Sequence, residues 1–252
     1  AIFFTFQIYG DFSGYSDIAI GTSRLFGFDL MQNFAFPYFS RDIAEFWRRW
    51  HISLSTWFRD YLYIPLGGSR GGTWMKVRNT FIIFIVSGFW HGANWTFIAW
   101  GALNAFYFLP LLLTNNNRNN IETVAKGKFF PTIKEFFLIL TTFGSTVFAW
   151  IFFRVENIGH AFSYISGIIS PSLLSIPYII EDGTGRPILP KTILLLIGLF
   201  IFIEWLGREG QYAISHFGIK RKSPLRYVVY YAIIIALLCF GGKEQQFIYF
   251  QF

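Results

Sequence analysis

The 252 residues are 54% hydrophobic, 22% aromatic and 14% charged, with a formal net charge of +7 at pH 7. A soluble domain carries about 25% charged residues and would have to show water many of the 33 Phe, 13 Tyr and 9 Trp found here, so that class is excluded. The basic residues fall between apolar stretches, which is the pattern of a polytopic membrane protein with cationic cytoplasmic loops and not that of a polar nucleic-acid-binding module.

The chain opens inside an apolar stretch, Ala1 to Ile8, without an initiator Met or a signal-peptide pattern. Earlier membrane spans are expected to precede it, so residues 1–252 read as one partial domain without internal repeats or a dividing linker. Residues 1–30 read as a span or half-span made unusually polar by Asp11, Ser13, Ser16 and Asp17.

Residues 41–66 read as one amphipathic helix. On a wheel of about 100° per residue, Ile43, Phe46, Trp47, Trp50, Leu54, Trp57, Phe58 and Tyr61 share a sector roughly 120° wide, while Arg41, Glu45, Arg48, Ser55 and Arg59 take the far side. An aromatic face opposite a cationic one suits a helix lying along the membrane interface or capping a bundle. Ile52 departs from the pattern, and Pro65, Gly67 and Gly68 stop the helix.

Residues 80–113 are apolar but interrupted by Ser87, Gly88, His91, Gly92 and Asn94. One helix of that length would overshoot a hydrocarbon core about 30 Å thick. The segment is expected to be two shorter helices meeting near His91, or one long tilted helix. Residues 135–153, 192–206 and 226–240 read as further spans, 115–120 as a polar loop, and 154–190 as an extracytoplasmic excursion. Two basic clusters, Arg41 to Arg78 and Arg208 to Arg226, are expected to face the cytoplasm. The expected fold class is therefore all-α: a polytopic transmembrane helical bundle with an amphipathic interfacial helix and a broken or re-entrant segment.

Four histidines are available for chemistry. His91, in an apolar segment, carries a desolvation cost and takes either a structural partner or a task. Gly88 and Gly92 beside it would let a second helix or a substrate approach closely. His51 lies at the edge of the aromatic sector, either as an interfacial side chain or as a functional group. His160 and His216 read as solvated loop residues. None has metal-ligand spacing, and the lone Cys239 permits neither a disulfide framework nor a cysteine metal site.

Asp11 and Asp17 are carboxylates at membrane depth. They suit an ion or proton path, hence a transporter, or they pair with the arginines of 41–59. Arg48, Arg49, Arg59 and Asp60 suit an anionic ligand or a solvated face. The run Pro65 to Gly72 is glycine-rich without matching a phosphate-loop or dinucleotide fingerprint, and reads as a turn or a weak phosphate cradle.

Several stretches resemble the membrane-bound O-acyltransferase family, in its alginate O-acetylation branch. They are Tyr9 to Asp17, Phe46 to Ser55, Phe58 to Tyr61, Ile64 to Gly68, Phe89 to Gly92 with Trp95, and Phe247 to Phe252, all in the family's order. The resemblance implies that His91 is the catalytic histidine and His51 the second active-site histidine. It also implies an acyl group delivered from the cytoplasmic side to a hydroxyl at or beyond the membrane, in a multi-pass protein of the bacterial inner (plasma) membrane. Arg48, Arg49, Asp60, Trp90 and Asn94 are the accompanying candidate substrate-binding residues: the arginines for the phosphates of acetyl-CoA, Asn94 or His51 for a developing oxyanion. No bound cofactor and no metal are expected, with acetyl-CoA as the acyl donor. The expected partners are the lipid bilayer, a periplasmic acetyltransferase-like protein and a polysaccharide acceptor, with no nucleic acid. D-alanyl transfer to teichoic acids is the variant reading within the family.

Overall fold

The computed structural model describes residues 1–170, 180–181, 187–188, 190–214 and 224–240, in two compact units, Ala1–Pro177 and Tyr178–Phe252. The first unit holds helices α1 (Ile2–Leu25), α2 (Ile43–Arg49), α3 (Ile52–Phe58), α4 (Gly72–His91), α5 (Trp95–Leu113), α6 (Ile133–Arg154) and α7 (Ile158–Ile169). The second holds a two-residue antiparallel pair, β1 (Ile180–Glu181) with β2 (Pro187–Ile188), and helices α8 (Pro190–Gly207) and α9 (Pro224–Phe240). The fold is helical as expected. Among the described residues α5 and α6 are long and apolar enough to cross a membrane. His216 and the run Phe247 to Phe252 lie outside the described residues.

Local sequence sets the helix ends. After α1, Gly27 takes a left-handed φ of 80°, and its N–H and that of Phe28 bond to the carbonyls of Arg24 and Ser23 at 3.1 and 3.0 Å. That is the paired-bond helix stop that glycine favours. The carboxylate of Asp42 caps α2 by accepting the Glu45 N–H at 2.7 Å. Thr132 and Glu135 cap α6 reciprocally, and Asn157 caps α7.

The segment 80–113 is two helices, the first of the two arrangements expected. Gly92 to Asn94 separate α4 from α5, which fold back on each other as an antiparallel hairpin. Their approach is as close as backbones allow: a Cβ on Gly88 would overlap the Phe97 carbonyl, and one on Gly101 the Phe84 carbonyl. Small residues permit this kind of helix contact where lipid gives no hydrophobic drive to association.

Two expectations need correction, and one choice left open is decided. Residues 41–66 are not one helix: α2 ends at Arg49, α3 begins at Ile52, and Arg59–Tyr63 widen into a single π-helical turn. The wheel drawn through Trp50 therefore joins residues that share no axis. Trp57 and Tyr61, assigned to its aromatic face, are 52% and 68% exposed, while Glu45, assigned to the polar side, is 1% exposed. Residues 158–169, within the expected excursion, form α7, so His160, expected in a loop, is an exposed residue of a helical first turn, its N–H on the Asn157 cap. The glycine-rich run folds as a turn: the buried Asn79 amide donates to the carbonyls of Leu66 and Gly68 at 3.2 and 3.0 Å, so carbonyls converge there in place of the N–H groups that cradle a phosphate.

Candidate active site

The second histidine sits where the chain breaks. Trp50 ends α2 in extended conformation, and His51 turns left-handed with φ 44°, a state unfavourable for a residue with a Cβ. His51 occupies the N-cap of α3 but makes no capping bond with its side chain. Its ring stands edge to face against Phe12 of α1, with centroids 4.7 Å apart.

The first histidine closes α4. His91 is its last residue, followed by Gly92 in an extended backbone. Its ring is walled by Trp90, Phe153 and Trp100, at centroid distances of 4.9, 5.0 and 5.2 Å. His51 and His91 lie at the two ends of one chain of aromatic contacts, which runs from His51 through Phe12 and Phe34 to Trp50 and ends at Trp100 against His91. The two are joined through a core of tryptophans: Trp50 beside His51 touches Trp150 of α6 at 5.2 Å, and Trp150 stacks on Trp100 of α5 at 5.7 Å. All three indoles are 2% exposed, and each aromatic pair adds about 0.5–1.5 kcal/mol beyond its burial. The structure thus holds two imidazoles from separate breaks against one rigid aromatic block.

Burial pushes the His51 imidazole down to about 4 from its ordinary 6.5, so this ring is neutral at physiological pH. A neutral imidazole offers one N–H donor and one acceptor nitrogen.

The other expected site residues are placed as follows. Trp90 is 56% exposed at the rim of the His91 ring. Asn94 is the N-cap of α5, its oxygen accepting the Thr96 N–H at 3.1 Å and its amide donating to the Glu156 carbonyl at 2.7 Å. Those bonds hold the start of α5. Arg48 donates to the carbonyls of Asn117 and Asn120 at 2.9 and 2.8 Å, and Arg49 to Glu45 and the Ala35 carbonyl, both at 3.1 Å. The cationic face is therefore spent largely on the chain itself. Arg59 grips Asp60 at 2.7 and 3.1 Å on the surface, and that bond holds the Asp60 carboxyl below its ordinary range.

Asp11 and Asp17 do not pair with these arginines. Among the described residues neither is in an ion pair, and both lie exposed on α1. Arg41 and Arg49 instead converge on the buried Glu45, with N–O distances of 3.1 and 2.9 Å, and Arg41 also reaches Glu135 at 3.3 Å. This buried cluster fixes α2, and with it Trp50 and His51, against the start of α6. Its signal lay in the sequence as a carboxylate four residues from an arginine on either side. Phe12, Trp100, Trp150 and Phe153, which wall the histidines, carried no such local signal.

A model of the membrane-bound O-acyltransferase family matches residues 1–153. The chain belongs to that family. It is 44% identical over 170 residues to the probable alginate O-acetylase AlgI of Pseudomonas aeruginosa, covering 68% of this chain and 31% of that protein. It is 38% identical over 181 residues to the peptidoglycan O-acetyltransferase of Helicobacter pylori, covering 72% and 33%. It is 43% identical over 130 residues to the teichoic acid D-alanyltransferase of Streptococcus thermophilus, covering 49% and 31%. The chain spans about a third of the length of the curated relatives it matches. Both histidine breaks and the aromatic block lie inside the family match.

Proposed function

We propose that this chain carries the active site of a membrane-bound O-acetyltransferase that moves an acetyl group from acetyl-CoA on the cytoplasmic side to hydroxyls of an exported cell-surface polysaccharide such as alginate. The observation that carries the reading is the continuous aromatic core that joins His51 to His91, within the part of the chain that matches the family.

The chemistry follows from two neutral imidazoles. His91 accepts the proton of the acceptor hydroxyl as its oxygen attacks the thioester carbonyl, an assistance worth roughly 10²–10⁴-fold. His51 donates an N–H to the carbonyl oxygen as it gathers negative charge. Collapse of the tetrahedral adduct breaks the carbon–sulfur bond, and the leaving thiolate takes the proton back from the His91 imidazolium. Acetyl ester and free thiol are the products, and no charge is left in the site. The exposed Trp90 ring offers a flat apolar surface at the mouth, suited to a sugar face or the donor arm.

A multi-pass inner-membrane location, with the helical bundle interrupted at the two histidine breaks, belongs to the same reading. So do a single acyltransferase domain extending beyond this chain and a periplasmic partner that completes transfer to the polymer. Likeness to the teichoic acid D-alanyltransferase supports a second reading, in which the acyl group is D-alanine. Cells producing His91→Ala protein are expected to lose polymer acetylation while the protein still inserts in the membrane. Undiminished acetylation in that variant would refute the assignment, and D-alanyl ester in place of acetyl would select the second reading.

A further inference from the structure

We propose that Asn33 is a positioning residue for His51, acting as a helix cap supplied from a separate segment. This rests on the reading of His51 as an active-site group. His51 fills a position where Ser, Thr, Asp or Asn ordinarily accepts the first free N–H groups of a helix, yet its ring does no capping. Asn33 takes over that task from 18 residues upstream. Its backbone carbonyl accepts the Ile52 N–H at 3.0 Å, and its side-chain oxygen accepts the Ser53 N–H at 3.2 Å and the Ser53 hydroxyl at 2.6 Å. Its amide donates to the buried Ser16 hydroxyl of α1 at 3.4 Å.

The Ala35 N–H bonds to the Arg49 carbonyl at 3.0 Å, so the strip 33–35 runs along both sides of the break. Phe34 within that strip packs on Phe12 and on Trp50, each at 5.0 Å. Phe12 is also the ring against His51. Asn33 therefore ties together the element that kinks, the element that walls the imidazole and the helix that follows. Capping from elsewhere leaves the imidazole free of local backbone duty, and it steadies a residue held in a left-handed conformation that a Cβ disfavours.

The test measures acetyl transfer from acetyl-CoA to polymer in membranes of cells producing the protein. It compares Asn33→Ala, Asn33→Asp, Ser53→Ala and His91→Ala. Asn33→Ala removes the side-chain acceptor and is expected to lower kcat at least tenfold, toward the ~10²-fold that follows a misplacement of about 1 Å, with KM for acetyl-CoA unchanged. Asn33→Asp keeps the acceptor for both Ser53 donors and is expected to recover most of the rate. A parental rate in Asn33→Ala, or no recovery in Asn33→Asp at equal membrane abundance, overturns the proposal. Should Asn33→Ala fail to accumulate, Ser53→Ala decides: a several-fold fall in kcat at unchanged KM supports the tie, and a parental rate overturns it. Full activity in His91→Ala would instead overturn the acyltransferase reading itself, so the two failures are separable.

Discussion

Gly88 lies directly under the Phe97 carbonyl, so close that even a methyl group would overlap it. The neighbour is backbone, which cannot rotate aside, and relief requires α4 and α5 to separate. Gly88→Ala is therefore expected to destabilise the protein by about 1–3 kcal/mol, the usual cost of overpacking. It should also lower acetyl transfer, because His91 is three residues further along the same helix. Thermal inactivation in detergent and transfer rate check both; parental values in each would show that the hairpin has slack at this point.

Glu45, 1% exposed between Arg41 and Arg49, is the hub of the buried ion cluster. Removing it takes the buried carboxylate from two guanidinium groups, which keep only their outer partners, and breaking a buried pair costs about 3–5 kcal/mol. Glu45→Ala is expected to lower the unfolding midpoint sharply, whereas Asp60→Ala, which breaks only the surface pair with Arg59, should leave the midpoint nearly unchanged. Equal shifts in the two variants would contradict the burial argument.

His51 should make stability depend on pH in one direction. Its pKa falls from 6.5 unfolded to about 4 folded, because burial disfavours the charged ring. Between those values the unfolded chain binds more protons, so stability rises with pH across the window. The contribution is full above about 6.5 and is lost as pH falls toward 4. Subtracting the unfolding curve of His51→Gln from that of the parent over this range should expose an acid-side loss belonging to His51; a flat difference would contradict the burial of the ring.

Asp11 and Asp17 separate catalysis from transport. Both lie on an exposed face of α1, and among the described residues neither joins the arginine cluster. The double variant with Asn at both positions is expected to keep most acetyl transfer. Its complete loss in a protein that still inserts normally would favour the transport reading.

Much of this arrangement is legible in the sequence. The interruption near His91 was visible because glycine and asparagine punctuate an apolar run too long for one span. The helices α1, α5, α6, α8 and α9 follow the apolar stretches closely. The break at His51 was not legible, because Trp50, His51 and Ile52 are compatible with a helix and the periodicity runs nearly unbroken through them. What turns the chain is a set of bonds to Asn33 and Ala35, and hydrogen bonding across that distance leaves no mark in local spacing. The same holds for the partners of Arg48 and Asn94, which bond to carbonyls of distant loops that local spacing does not reveal. Long-range partners decide whether a polar side chain is a tool or a fastener.

The bond from Asn94 to the Glu156 carbonyl pins the start of α5 to the corner between α6 and α7. The turn held by that bond leaves Phe89, Trp90 and Trp95 exposed at the end of α4 and the start of α5. Truncating Asn94 would therefore release two elements at once, the start of α5 and the corner after α6, next to the turn that ends in His91.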